Sequence, residues 1–171
     1  MNKLSVIFIL IIGVQMHSTA QTERELAMIN EINKVRQDPE SFIPFVQEFM
    51  ELIDATSAEQ RTANELIREL KSTKPMGTLV FDQELFELAE KHAHWMERKD
   101  KFDHSDYPNP ENLVGGTEDV RYAVVDLLVD HGIRDRGHRR NLLNPELRKV
   151  ACAEASGTVD GLPYVFVQIF E

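Results

Sequence analysis

The sequence predicts an α+β domain in which helices cover both faces of a small sheet. Segments with apolar residues at helical spacing fill most of the chain, and two short extended runs close it. The last run, "YVFVQIF", is apolar on both alternating faces: Val165, Val167 and Ile169 one way, Tyr164, Phe166 and Phe170 the other. A strand buried on both faces needs a layer on each side, which makes a three-layer α-β-α sandwich.

The first residues, "MNKLSVIFILIIGVQMHSTAQ", carry Lys3 as a positive head and an apolar run from Leu4 to Val14. Ser18 and Ala20 stand three and one positions before Gln21. This predicts a signal peptide over residues 1–20, cut after Ala20, because the apolar run is too short for a lasting membrane anchor. No cysteine follows it to carry a lipid. The remaining 21–171 is one domain of secreted or periplasmic destination, about 150 residues long and sufficient for a core.

Leu26, Ile29, Ile32 and Val35, three residues apart, predict a first helix ending before Pro39. Asp38 and Pro39 open a second, with Phe42, Phe45, Val46, Phe49 and Ile53 on one face. "SAEQ" from Ser57 reads as a capping box ahead of Ala63, Leu66, Ile67 and Leu70. "KPMGTLVFD" reads as a loop with a short extended piece, and Asp82 caps a helix facing inward with Leu85, Leu88, Ala89, His92 and Met96. "FDHSDYPNPENLVGG" is rich in turn residues. Thr117 starts a further helix, with Glu118 and Asp119 in its first turn, Val120, Val124, Leu127 and Leu128 buried, and Gly132 at its end. "KVACAEAS" and "YVFVQIF", joined through "GTVDG", predict a terminal hairpin.

A formal net charge of −10 argues against nucleic acid as a partner, since phosphate binding needs a positive footprint. Cys152 is the sole cysteine, so packing alone holds the domain, and its setting in "VACAEA" marks a buried small hydrophobe. Of the histidines, His92 falls on an apolar helix face, His94 lies off that face in solvent, and His131 is a helix-end residue. His104 and His138 lie in turn-rich sequence, where site residues concentrate. Glu111 follows His104 beyond a Pro-Asn-Pro turn, and Asp130 precedes His138 at the end of its helix. Imidazoles with carboxylates suit a borderline metal ion, although this spacing is unlike the compact HExxH zinc signature.

"FDHS", "PEN" and "GHRRNLLNP", in that order after "LAEKHAHWM", resemble the secreted CAP superfamily of cysteine-rich secretory, antigen 5 and pathogenesis-related proteins, and its bacterial SCP-like members. The likeness spans roughly residues 25 to 170, a normal size for one domain. It implies the family's α-β-α sandwich and a central cavity with two histidines and two acids, which in several members hold a divalent cation, often zinc. Carried over by motif, these are His104, Glu111, His138 and Asp130. Asp130 stands where the family usually has the longer Glu, Leu127 near where an aromatic is frequent, and Pro110 where glycine is frequent.

Two functions follow as expectations. One is a non-enzymatic extracellular binding domain that receives a lipid, peptide or protein, with the cation structural or regulatory. The other is a metal-dependent peptidase or esterase, with Glu111 or Asp130 as catalytic candidates beside a metal-bound water. Ser105 adjoins His104, but neighbours in sequence rarely meet as nucleophile and base.

Overall fold

The computed structural model describes residues 21–171; the predicted leader lies outside the described residues. Helix α1 (Glu23–Gln37) begins at a capping box, Thr22 accepting from the Glu25 amide and Glu25 from the Thr22 amide. It buries Met28, Ile29, Ile32 and Val35, whereas Leu26 is half exposed. Steps of three lag the helical period by about 60° each, so Leu26 has turned roughly 120° from Ile32.

Asp38 makes no side-chain cap; Pro39–Phe42 form a 3-10 turn that leads into α2 (Ile43–Leu52). Ile53, predicted for the buried face, lies past the end of α2 and is exposed. Helix α3 (Ser57–Ser72) is capped one residue earlier than predicted, by the reciprocal pair Thr56 and Glu59. After β1 (Val80–Phe81), Asp82 accepts from the Glu84 and Leu85 amides at the start of α4 (Gln83–Lys99), as predicted. The turn-rich segment then enters β2 (Glu111–Val114).

Helix α5 (Val120–Val129) starts later than predicted, because the Asp119 side chain, not Thr117, caps the Arg121 amide. It also stops before Gly132, with Asp130 in the left-handed region at φ 53°. The short α6 (Gly137–Leu142) leads to β3 (Lys149–Glu154) and β4 (Phe166–Phe170), which form the predicted antiparallel hairpin.

The sheet order is β1-β3-β4-β2, with β1 parallel to β3 and the other pairings antiparallel. Strand alternation separates two cores. Val150, Cys152, Phe166, Phe170 and Val114 pack with α1, α2, α3 and α5, while Ala151, Ala153, Val167, Ile169 and Leu113 pack with α4. Helices therefore lie on both faces of the sheet, as the two-faced apolar pattern of β4 requires. Cys152 is fully buried, and burial pushes its thiol far above the ordinary value, so no nucleophile forms there.

The wholly buried Arg36 joins the two ends of the larger core. Its guanidinium donates to the carbonyls of Gly77 at 2.9 Å, Leu142 at 2.9 Å, Asn144 at 2.9 Å and Leu147 at 3.3 Å. These carbonyls lie before β1, at the last residue of α6 and between α6 and β3, where no ladder or following helical turn satisfies them. Arg36→Met would keep the stem but strand the carbonyls, at a cost of about 3–5 kcal/mol. Urea unfolding measures this as a lowered midpoint with an unchanged slope.

Candidate functional site

The site is built at the free edge of β2. Alternation along this strand puts Glu111 on the α4 side and Asn112 on the α6 side. Glu111 Oε1 accepts from His104 Nδ1 at 2.7 Å and from the Ser105 amide at 3.0 Å. Its other oxygen, Oε2, is buried without a hydrogen-bond partner and stands 3.9 Å from His92 Nε2. His92 is the buried, satisfied histidine the sequence predicted, with Nε2 donating to the Asp103 carbonyl at 2.9 Å. His94 is exposed beside Glu97, and His131 meets Thr62 at 3.1 Å near the end of α5.

On the other side of β2, Asp130 organises the approach to His138. Its carboxylate accepts from His138 Nδ1 at 2.8 Å, from the His138 amide at 3.0 Å and from the Arg139 amide at 3.4 Å. α6 is held from below as well: Asn112 Nδ2 donates to the His138 carbonyl, and Asn141 Nδ2 to Asn112 Oδ1. The basic neighbours of His138 point elsewhere. Arg139 is buried, donating to the last carbonyls of α5, Leu128 and Val129, and pairing with Glu65 and Glu69. Arg140 pairs with Asp135, and Arg136 with Glu65.

The four predicted residues thus form two carboxylate–histidine pairs. A carboxylate only accepts, so each Nδ1 carries a proton, and the lone pair of the matching neutral tautomer lies on Nε2. The rings of His104 and His138 stack at 24° with centroids 6.0 Å apart. Among the described residues, no three His, Cys, Asp or Glu side chains are grouped to hold a metal ion. Glu111 meets His104, and Asp130 meets His138, each through the Nδ1 of the ring.

His138 opens into a cleft of about 190 Å³ whose apolar walls include Phe102, Leu113, Ile133 and Leu162. Asp126, which the sequence reading did not single out, joins Asp130 in lining it. It sits one helical turn before Asp130, a spacing that offered the signal. Although Asp126 meets solvent on its cleft side, the protein packed around it and the charge of Asp130 push its carboxyl up.

The comparisons with known proteins bear on this arrangement. Residues 29–170 match the family model for CAP, the cysteine-rich secretory protein family. The chain belongs to that family. Among solved structures, this CAP domain is similar to an outer surface protein from Borrelia burgdorferi, at 19% identity and TM-score 0.44 over 72% of this chain and 91% of that one. It is also similar to hookworm platelet inhibitor, at 14% identity and TM-score 0.48 over 89% of this chain and 73% of that one. No curated protein sequence matches it. CAP domains are generally proteins of extracellular type, and among the described residues no helix is long and apolar enough to cross a membrane.

The His104–Glu111 pair has a defined pH signature. The Glu111 hydrogen bond and charge raise His104, against its own partial burial. Burial pushes Glu111 up, but bonds from His104 and Ser105 outweigh it and leave the carboxyl below its usual range. A raised histidine contributes stability below its unfolded value of about 6.5 and loses it as pH rises through the folded one. A lowered glutamate contributes above about 4.5 and loses it as pH falls through the folded value. The pair thus supports the fold most between about pH 4.5 and 6.5. NMR titration of His104 should give a midpoint above about 6.5 in the wild type, falling towards that value in Glu111→Gln.

Proposed function

We propose that this CAP domain is an extracellular binding module whose cleft takes up a divalent cation, zinc by preference, between His104 and His138. The observation that carries the reading is the pairing of each Nδ1 with a carboxylate, which fixes the tautomer and raises the basicity of the other nitrogen. The spacing fits as well. An ion about 2.1 Å from a nitrogen of each ring sets the two centroids roughly 5–6.5 Å apart, and the pair stands at 6.0 Å. The unpartnered Glu111 Oε2 supplies a buried acceptor for a water beside the pair.

His104 and His138 would hold such an ion through two nitrogens only, so its role would be to complete the cleft rather than to hold the fold. When bound, it would supply a Lewis-acid centre at the cleft mouth. A hydrolytic role is supported less well. Glu111 and Asp130 are both engaged with histidines, and the carboxylate oxygen left without a hydrogen-bond partner, Glu111 Oε2, is buried beside His92.

Zinc titration by calorimetry tests the reading, with near-equimolar uptake expected for the wild type. His104→Ala combined with His138→Ala should abolish uptake while far-UV circular dichroism stays unchanged. Uptake that survives the double substitution excludes the pair as the site. Chelator-sensitive turnover of a peptide or ester library would favour the hydrolase instead.

A further inference from the structure

A second pocket, of about 220 Å³, lies on the α4 side of His104, and its chemistry is different. Lys91, Trp95 and Arg98 line it from one face of α4, at positions i, i+4 and i+7, while Asp106 and Tyr107 come from the loop before β2. The pocket is smaller than the roughly 300–1,000 Å³ of drug-sized sites, so it admits a single ring rather than a chain.

His92, His104 and Ser105 on its floor are hydrogen-bonded, but other polar groups of its lining are uncommitted. Among the described residues, Lys91 and Arg98 have no ion-pair partner, and the Trp95 indole N–H and Tyr107 hydroxyl no hydrogen bond. Two such cations on one helix face stand out in a chain of net charge −10, where Arg136, Arg139 and Arg140 around His138 are paired. Trp95 is held in place by stacking on the buried His92, with centroids 5.5 Å apart and planes at 15°. Tyr107 packs edge-on against the same imidazole. The pocket thus has a fixed aromatic wall, cations for an anion, and Asp106 as an acceptor for donor groups.

This combination selects among anionic ligands. A fatty acid would satisfy the cations but offer nothing to Asp106 and exceed the volume. An inorganic anion would leave the aromatic wall without a partner. A ring with a carboxylate, several hydroxyls and an apolar C–H face uses all of them. We propose that this pocket binds an acidic sugar, a hexuronate unit of a polysaccharide, with Lys91 and Arg98 taking the carboxylate, Trp95 the ring face, and Asp106 and Tyr107 the hydroxyls. The proposal rests on the reading of the chain as a binding module but not on the cation, since Lys91, Trp95 and Arg98 lie outside the histidine pair.

Trp95 is the sole tryptophan, so intrinsic fluorescence reports on this pocket directly. Titration of the mature protein with trigalacturonate and glucuronate should change the emission saturably, with a Kd on the order of 1 mM for the single sugar. Glucose and acetate should be at least about tenfold weaker, and added salt should weaken the acidic sugars. Lys91→Met and Arg98→Met, both at exposed positions, should each reduce affinity about fivefold with an unchanged circular dichroism spectrum. Binding that persists in chelator and in His138→Ala confirms that the sugar site stands without the cation. Equal affinity for glucose or acetate overturns the proposal. So does the absence of saturable hexuronate binding both by fluorescence and by ligand-observed NMR.

Discussion

The cleft depends on one short carboxylate in an unusual backbone position. Asp130 ends α5 in the left-handed region, a conformation that only a small polar residue or glycine adopts readily. From there its carboxylate reaches back to two successive amides of α6 and to the imidazole of His138, while its carbonyl accepts from Arg136 at 2.7 Å. A single residue thus closes one helix, starts the next and aims a histidine. The family's longer side chain at this place would have to fold back to make the same bonds. Asp130 makes them directly.

The larger core transmits that constraint. Arg139 is buried against the end of α5 and pairs with acids of α3, so α6 cannot shift without stranding a charge. Arg36 fastens the far end of the same segment through carbonyls on the chain leading into β3. The two buried arginines thus fix both ends of the run from α6 to β3. On the other face, Glu111 is positioned by strand alternation alone, and the loop histidine comes to meet it. One histidine is therefore placed by a rigid helix start and the other by a more exposed loop, with side-chain exposures of 18% and 56%.

Much of this was legible in the sequence where a local rule acts alone. The double-faced apolar pattern of β4 predicted the sandwich, Asp82 its helix, and the apolar setting of Cys152 its burial. The errors arose where neighbouring residues compete for one role. Thr56 and Ser57 are both good caps, and the choice falls to whichever has a glutamate three residues on. Thr117, Glu118 and Asp119 all read as helix-start residues, but only the last reaches an amide. Leu26 and Ile53 are apolar yet exposed, because helical phase and helix end exclude them from the core. For the site, the order of His104, Glu111, Asp130 and His138 in the chain did not give the pairing that the fold makes, Glu111 with His104 and Asp130 with His138. Which acid faces which histidine depends on β2 joining the sheet, a contact that no spacing encodes. The uncommitted pair Lys91 and Arg98 was invisible for a similar reason: most basic residues near the cleft have partners, and only the folded arrangement shows which do not.

The sheet's connectivity also sets the order in which this chemistry can come into being. β3 and β4 are near neighbours in the chain, but β2 must find β4 across α5, α6 and β3, with Glu111 opposite Ile169 and Val114 opposite Phe166. Closing so long a loop is entropically unfavourable until much of the chain between is already compact. The strand carrying Glu111 is thus a late arrival in folding, and His104 has no partner until it docks. A chain stalled short of that step would hold its hairpin and helices yet leave His104 without Glu111, so a shifted His104 titration reports that the final long-range pairing has been completed.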